Sequence, residues 1–171
     1  EFPGLEVVVC ANLPYYITSP VIMALLEQRL PIRAVTVMVQ KEAGDRLCAP
    51  MPSRECGAVT AAVRYYSEPK VLFPVSRGSF NPAPNVDSVV IRLDIKGELP
   101  LPPEQEKTLF RVVHAAFGQR RKTLPNTLSA GLGIPKAEAA EKLAAAGIKP
   151  TARAEELSME QFCRLAEAFA E

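Results

Sequence analysis

The sequence predicts an α/β chain in which an incomplete, mostly parallel sheet is followed by a small all-helical domain. Three observations predict it. A strand, a helix and a second strand succeed one another between Leu5 and Gln40. Two further strand-like runs flank a proline-stiffened loop around Phe80. Beyond the break Leu99-Pro100-Leu101-Pro102-Pro103, apolar residues recur with the helical period.

Leu5–Ala11 is short, apolar and rich in valine, and the succession of apolar side chains predicts burial on both faces, as in a parallel sheet. It stops at Asn12-Leu13-Pro14-Tyr15-Tyr16. Thr18 or Ser19 stands where a helix cap is needed, Pro20 suits a first turn, and Val21–Leu30 supplies an apolar face that Pro31 closes. A second buried strand, Ala34–Gln40, follows at once, so the three elements form a βαβ unit with a right-handed parallel crossover. Lys41–Ala49 reads as a short helix, Pro50–Glu55 as a loop and Gly57–Tyr66 as an apolar helix. Lys70–Val75 and Val86–Ile95 read as strands, joined as a hairpin-like antiparallel pair at the sheet edge.

Residues 98–103 form a linker that divides an α/β piece, 1–97, from a helical domain, 104–171. In the latter, Glu104–Phe117, Lys122–Ala130, Lys136–Ala146 and Ser158–Ala170 are helical, with Gly131, Gly133 and Gly147 at stops. No repeat or low-complexity tract occurs.

The sheet is short of strands. A doubly wound domain carries about five to seven, and here two parallel strands and one antiparallel pair are on offer. No glycine-rich strand-to-helix turn and no P-loop is present to cradle a nucleotide. Leu5–Ala11, taken as a central strand, lacks a neighbour, and the abrupt opening EFPGLE reads as a truncation. That opening has neither the basic nor the apolar region of a signal peptide, and no apolar run approaches the ~20 residues of a membrane span.

Composition narrows the classes further. The chain has 171 residues, 48% of them hydrophobic, enough for a core. Its four cysteines, Cys10, Cys48, Cys56 and Cys163, form no C-x-x-C pair. With a single histidine, His114, they do not suggest a zinc site, and they read as reduced thiols of a cytoplasmic protein. A net charge of +1 announces no nucleic-acid partner. Charge is local instead, in Gln119-Arg120-Arg121-Lys122, a run that by itself describes a solvated helix end as well as a phosphate contact.

The chemistry-bearing residues begin at Asn12-Leu13-Pro14-Tyr15. They follow a strand directly, and the carboxyl ends of strands face the crevice where α/β domains bind ligands. An exocyclic aromatic amine such as adenine N6 is a poor nucleophile, because its lone pair is delocalised into the ring. Two acceptors holding its N–H groups favour a pyramidal nitrogen whose lone pair points at a methyl donor. The Asn12 side-chain oxygen and the Leu13 carbonyl are such acceptors, Pro14 fixes the backbone between them and Tyr15, and Tyr15 offers a stacking face. No strong general base is needed, since the amine becomes acidic once methylated. As a bare tetrapeptide, the segment is also compatible with a simple strand-ending turn. Phe80-Asn81-Pro82-Ala83-Pro84-Asn85-Val86-Asp87-Ser88 then supplies alternate prolines that stiffen a loop able to present Phe80 as a second stacking wall, opposite Tyr15. A lone phenylalanine would otherwise read as core.

These two motifs, in this order, resemble the small-subunit rRNA adenine dimethyltransferases, where N-L-P-Y is the amino-methyltransferase motif and F-x-P-x-P-x-V-x-S a signature. The resemblance runs on through Gln40-Lys41-Glu42, Arg46-Leu47, Ala115-Ala116-Phe117, Gln119-Arg120-Arg121-Lys122-Thr123-Leu124 and Arg153-Ala154-Glu155-Glu156-Leu157-Ser158, covering nearly the whole chain. It implies the C-terminal part of a Rossmann-like class I methyltransferase domain, then a helical rRNA-binding domain. It further implies S-adenosylmethionine as donor, and two adjacent adenosines near the 3′ end of small-subunit rRNA, in a pre-30S-type particle, as target.

By resemblance, Asn12, Leu13, Pro14 and Tyr15 carry catalysis, with Asn12 and Leu13 also touching the donor. Tyr15 and Phe80 hold the base, Arg120, Arg121 and Lys122 meet RNA phosphate, and no metal is involved. The family's glycine motif and its acidic donor-holding residues are absent, so this chain is expected to be inactive alone. A non-catalytic rRNA-binding module of ribosome assembly is one alternative. A large-subunit rRNA methyltransferase is another, disfavoured because Leu13 stands where that group usually has isoleucine and because that group lacks the double-proline loop. His114 reads as packing or capping and Met23 and Met38 as core, while Lys41, Glu42 and Arg46 line the crevice or form surface ion pairs. The unpaired edge at Leu5–Ala11 predicts self-association.

Overall fold

The structure, a computed structural model, describes residues 4–170; the first three letters of the EFPGLE opening, and residue 171, lie outside the described residues. The chain divides into two compact units, Glu1–Ala49 with Ala62–Glu98 and Pro50–Ala61 with Leu99–Glu171. The segment Pro50–Ala61 thus groups with the helical half, an association that a linear reading of the chain does not reveal.

The α/β unit holds a mixed sheet of β1 (Val7–Asn12), β2 (Ile32–Gln40), β3 (Ser67–Val75) and β4 (Ser88–Ile95), in the order β1-β2-β4-β3. β1 and β2 are parallel, whereas β4 runs antiparallel to both β2 and β3. The period of two sorts the side chains between faces. Val35, Val37 and Val39 on β2 stand opposite Leu93, Ile91 and Val89 on β4, and all six are buried. Helix α2 (Lys41–Leu47) lies over that face. Gly44 permits the approach, since a Cβ there would overlap the Val89 side chain and lie 3.3 Å from Val39.

Burial on both faces of the first strand is not what the chain adopts. Val7 and Val8 are 50% and 60% exposed and Leu5 is 68% exposed. The physical reason is position: β1 is an edge strand with a partner along one side only, and two-faced burial needs layers over both faces. Arg33 of β2 pairs with Glu6 just before β1.

Helix α1 spans Thr18–Glu27, shorter than the expected Val21–Leu30 at its end, where Arg29 takes a left-handed backbone with φ of 48°. Thr18 is its first residue, not its cap. The Thr18 hydroxyl points back, 3.4 Å from the Pro14 and Tyr15 carbonyls. Helix α3 (Ala58–Tyr66) then leads without a loop into β3.

The second unit packs α4 (Pro103–Phe117), α5 (Leu124–Leu132), α6 (Lys136–Ala145) and α7 (Met159–Ala170) around Leu109, Val113, Leu124, Leu128, Leu143, Phe162 and Leu165, all fully buried. Pro103 opens α4 as its first residue instead of ending the linker, in keeping with proline's fitness for that position. Helix α5 starts at Leu124, so Lys122 lies before it and not in it. Gly131 is no stop. It lies inside α5, where a Cβ would come within 2.6 Å of the Ala115 Cβ, so its missing side chain lets α5 close on α4. Gly131-Leu132-Gly133, the chain's single G-x-G spacing, therefore ends a helix and does not open one after a strand. Gly133 and Gly147 do act as stops, in left-handed conformations with φ of 69° and 70°. Ser158 caps α7 reciprocally with Gln161, each backbone N–H reaching the other's side-chain oxygen, at 2.9 and 3.2 Å.

Candidate functional site

The crest of the α/β unit gathers the residues that the sequence singles out. β1 and β2 end together, Asn12 opposite Met38, and β4 begins beside them with Ser88 opposite Gln40. The Leu13 N–H donates to the Met38 carbonyl at 3.3 Å, carrying the ladder one residue past β1 and burying the Leu13 side chain. Pro14 is extended, and a tight 3-10 turn follows at Tyr15–Ile17, closed by the Ile17 N–H on the Pro14 carbonyl at 3.1 Å. Local chemistry thus turns Leu13 inward and leaves Asn12 exposed, its carboxamide without a hydrogen-bond partner among the described residues.

The second motif comes down onto the first. A 3-10 turn at Arg77–Ser79 is capped by the Ser76 hydroxyl, which accepts from the Gly78 N–H at 3.2 Å. Asp87 clamps the loop's far end, accepting from the Arg77 N–H through its side chain at 2.9 Å and from the Lys41 N–H through its carbonyl at 3.0 Å. The Arg77 guanidinium donates to the Asn85 carbonyl at 3.2 Å. The Asn81–Pro82 peptide is cis. Asn12, Leu13, Pro14, Tyr15, Phe80, Pro82 and Pro84 line one open pocket of about 340 Å³. No charged side chain lines it, which suits a neutral ring, and its size is that of a small-ligand pocket.

One member of the site was missed by sequence reasoning. The Tyr15 hydroxyl lies 2.8 Å from the Ser88 Oγ, and Ser88 is fully buried at the start of β4. The available signal was the serine closing the proline loop, since a buried hydroxyl requires a partner. This bond anchors the tip of the ring offered for stacking.

Beside the pocket, Gln40, Lys41, Glu42, Asp45, Arg77, Asn85, Val86 and Asp87 line a polar cleft of about 440 Å³. Lys41 and Glu42 both line a cleft and form ion pairs. Lys41 bonds Asp45 at 2.6 Å and Glu42 pairs with Arg46 at 3.5 Å. The Asp45 carboxylate holds the Lys41 ammonium above its ordinary pKa.

In the helical unit, Arg120, Arg121 and Lys122 occupy the turn between α4 and α5, which the Lys122 N–H closes on the Gln119 carbonyl at 3.0 Å. Arg121 and Lys122 are exposed. Arg120 is partly committed elsewhere, donating to the Arg54 carbonyl and standing 4.0 Å from the Glu155 carboxylate. His114 is exposed in the last turn of α4, so it does not pack into the core. All four cysteines are free thiols, and burial pushes the Cys48 thiol up to about 11. Among the described residues no group of metal-ligating side chains gathers, and no helix is long and apolar enough to cross a membrane.

A partial class I methyltransferase sheet followed by a helical unit is the class that this fold and crest define. The chain belongs to the ribosomal RNA adenine dimethylase family, whose model matches residues 3–171. It is 46% identical over 167 residues to ribosomal RNA small subunit methyltransferase A of Alkaliphilus oremlandii, covering 97% of this chain and 58% of that protein. It is 50% identical over 163 residues to the protein of that name from Geobacillus thermodenitrificans, covering 94% and 56%. The chain therefore spans little more than half the length of these curated relatives. A dimethyladenosine transferase from Plasmodium falciparum superposes with a TM-score of 0.81 at 26% identity, over 96% of this chain and 66% of that one. The 23S rRNA methyltransferase ErmE, at 23% identity and a TM-score of 0.71, shares the fold, over 100% of this chain and 68% of that one.

Proposed function

We propose that this chain is the target-base half of an S-adenosylmethionine-dependent enzyme that dimethylates N6 of two adjacent adenosines near the 3′ end of small-subunit rRNA. The observation that carries the reading is the convergence of Asn12–Tyr15 and Phe80 on one uncharged pocket. A base taken out of its stack enters between Tyr15 and Phe80, whose faces replace the lost stacking. The Asn12 carboxamide oxygen and the Leu13 carbonyl accept the two N6–H bonds, which localises the nitrogen lone pair and aims it out of the ring plane. Ser88 anchors the tip of the Tyr15 ring through the 2.8 Å bond. The work is positioning and electrostatics, with no side chain required as a strong base.

S-adenosylmethionine, when bound, supplies an electrophilic methyl group. The residues present fit its reactive end, where Asn12 stands exposed with an unpartnered carboxamide, and no glycine-rich strand-to-helix turn accompanies them to hold its nucleoside. The parts of the enzyme that complete the donor site belong to the length by which the relatives exceed this chain. Arg121 and Lys122 give the helical unit, with Arg120 between them and the Arg54 carbonyl, a basic turn for rRNA phosphate. A pre-30S-type particle is the partner, and the cytoplasm is the compartment that such a substrate requires.

The test is Asn12→Ala in the full-length enzyme. Removing an acceptor that matters as charge develops on N6 lowers kcat by about 10²-fold or more. Near-normal turnover on small-subunit particles would refute the assignment.

A further inference from the structure

We propose that the polar cleft beside the base pocket is a subsite for the nucleotide that flanks the target on the same RNA strand. The inference deepens the reading above and rests on it. The two hollows are built by one loop. Pro84 lines the base pocket and the next residue, Asn85, lines the cleft, so the two linings adjoin through consecutive residues of one loop. A strand whose base sits between Tyr15 and Phe80 must carry its neighbour over one side of that loop.

The lining suits a nucleotide. Val86 is exposed and gives the base an apolar platform, while the Gln40 and Asn85 carboxamides offer donors and acceptors to its edge. Lys41 and Arg77 bring positive charge to the sugar–phosphate side. Each is already held, Lys41 by Asp45 at 2.6 Å and Arg77 by the Asn85 carbonyl at 3.2 Å, so neither side chain has to be ordered on binding. Glu42, Asp45 and Asp87 also line the cleft and repel a bare anion. The geometry therefore favours a whole nucleotide, anchored through its base, over free phosphate. A substrate class with two adjacent adenosines needs such a place, because one base waits while the other is in the pocket.

The experiment compares AMP with the dinucleotide ApA by NMR titration of the isotopically labelled 171-residue chain. Both probes are expected to shift Asn12, Tyr15 and Phe80, and ApA alone to shift Lys41, Asn85 and Asp87 as well. ApA is expected to bind about fivefold more tightly, the worth of one net hydrogen bond, and Asn85→Ala to abolish that preference. If ApA shifts only the base-pocket residues and binds no more tightly than AMP, the subsite is overturned and the base pocket stands. If neither probe moves Tyr15 or Phe80, the base-pocket reading itself fails and the subsite with it.

Discussion

Each residue of the crest acts through what holds it in place. Tyr15 contributes its aromatic face from a position that its hydroxyl helps to hold, through the contact with Ser88. Ser88→Ala should free the ring and leave the phenol without its partner, weakening AMP binding by about fivefold, the scale of one net hydrogen bond. Ser88→Thr keeps the hydroxyl and should restore binding. Equal losses in both variants would reduce Ser88 to a packing residue. Leu13 shows the same dependence from the backbone side. Its N–H is spent on Met38, which anchors the residue whose own carbonyl, in the following peptide unit, the proposed mechanism uses.

Among the elements, α5 is placed by an absence. Gly131 meets Ala115 of α4 so closely that a methyl group cannot enter without separating the helices. Gly131→Ala is accordingly expected to destabilise the helical unit by about 1–3 kcal/mol, the usual cost of overpacking, read as a lowered melting temperature. An unchanged melt would mean that the helices yield freely. The turn before α5 makes a second prediction. Arg121→Ala and Lys122→Ala, each removing one phosphate contact, should each flatten the log–log salt dependence of rRNA-fragment binding by about 0.9 on duplex-like RNA. Arg120→Ala should in addition lower thermal stability, because this guanidinium also ties the turn to the Arg54 carbonyl. A salt slope unmoved by all three would return the cluster to a solvated helix end.

At the scale of the whole molecule, the open side of β1 dominates. Val7 and Val8 are half or more exposed, beside a row of backbone groups that no strand among the described residues pairs. Such an edge templates pairing with another chain. The 171-residue chain by itself is therefore expected to associate through Leu5–Ala11 with a second copy. Light scattering should give about twice the 18.6 kDa of one chain, and Val8→Lys, placing a charge on the edge, should return the monomer. A monodisperse wild-type monomer at high micromolar concentration would overturn this expectation.

The sequence by itself determined the elements and the motifs. Valine-rich strands, helix periods, the proline break and the glycine stops at 133 and 147 are written in stretches of a few residues, where local backbone preference decides. The same holds for Asn12–Tyr15 and the Phe80 loop as chemistry-bearing segments. Tertiary structure alone decided how they meet. The Tyr15–Ser88 bond joins residues 73 apart in sequence, and the Arg120–Arg54 bond joins residues 66 apart. Neither has a local signature, because any hydroxyl or guanidinium is locally satisfied by water, and only closure of the fold selects its partner. Burial of β1 failed for the same reason. An apolar run records what a strand tolerates, whereas its exposure depends on which layers lie over it. Gly131 likewise looked like a stop from sequence, and only the approach of α4 revealed why a glycine stands there.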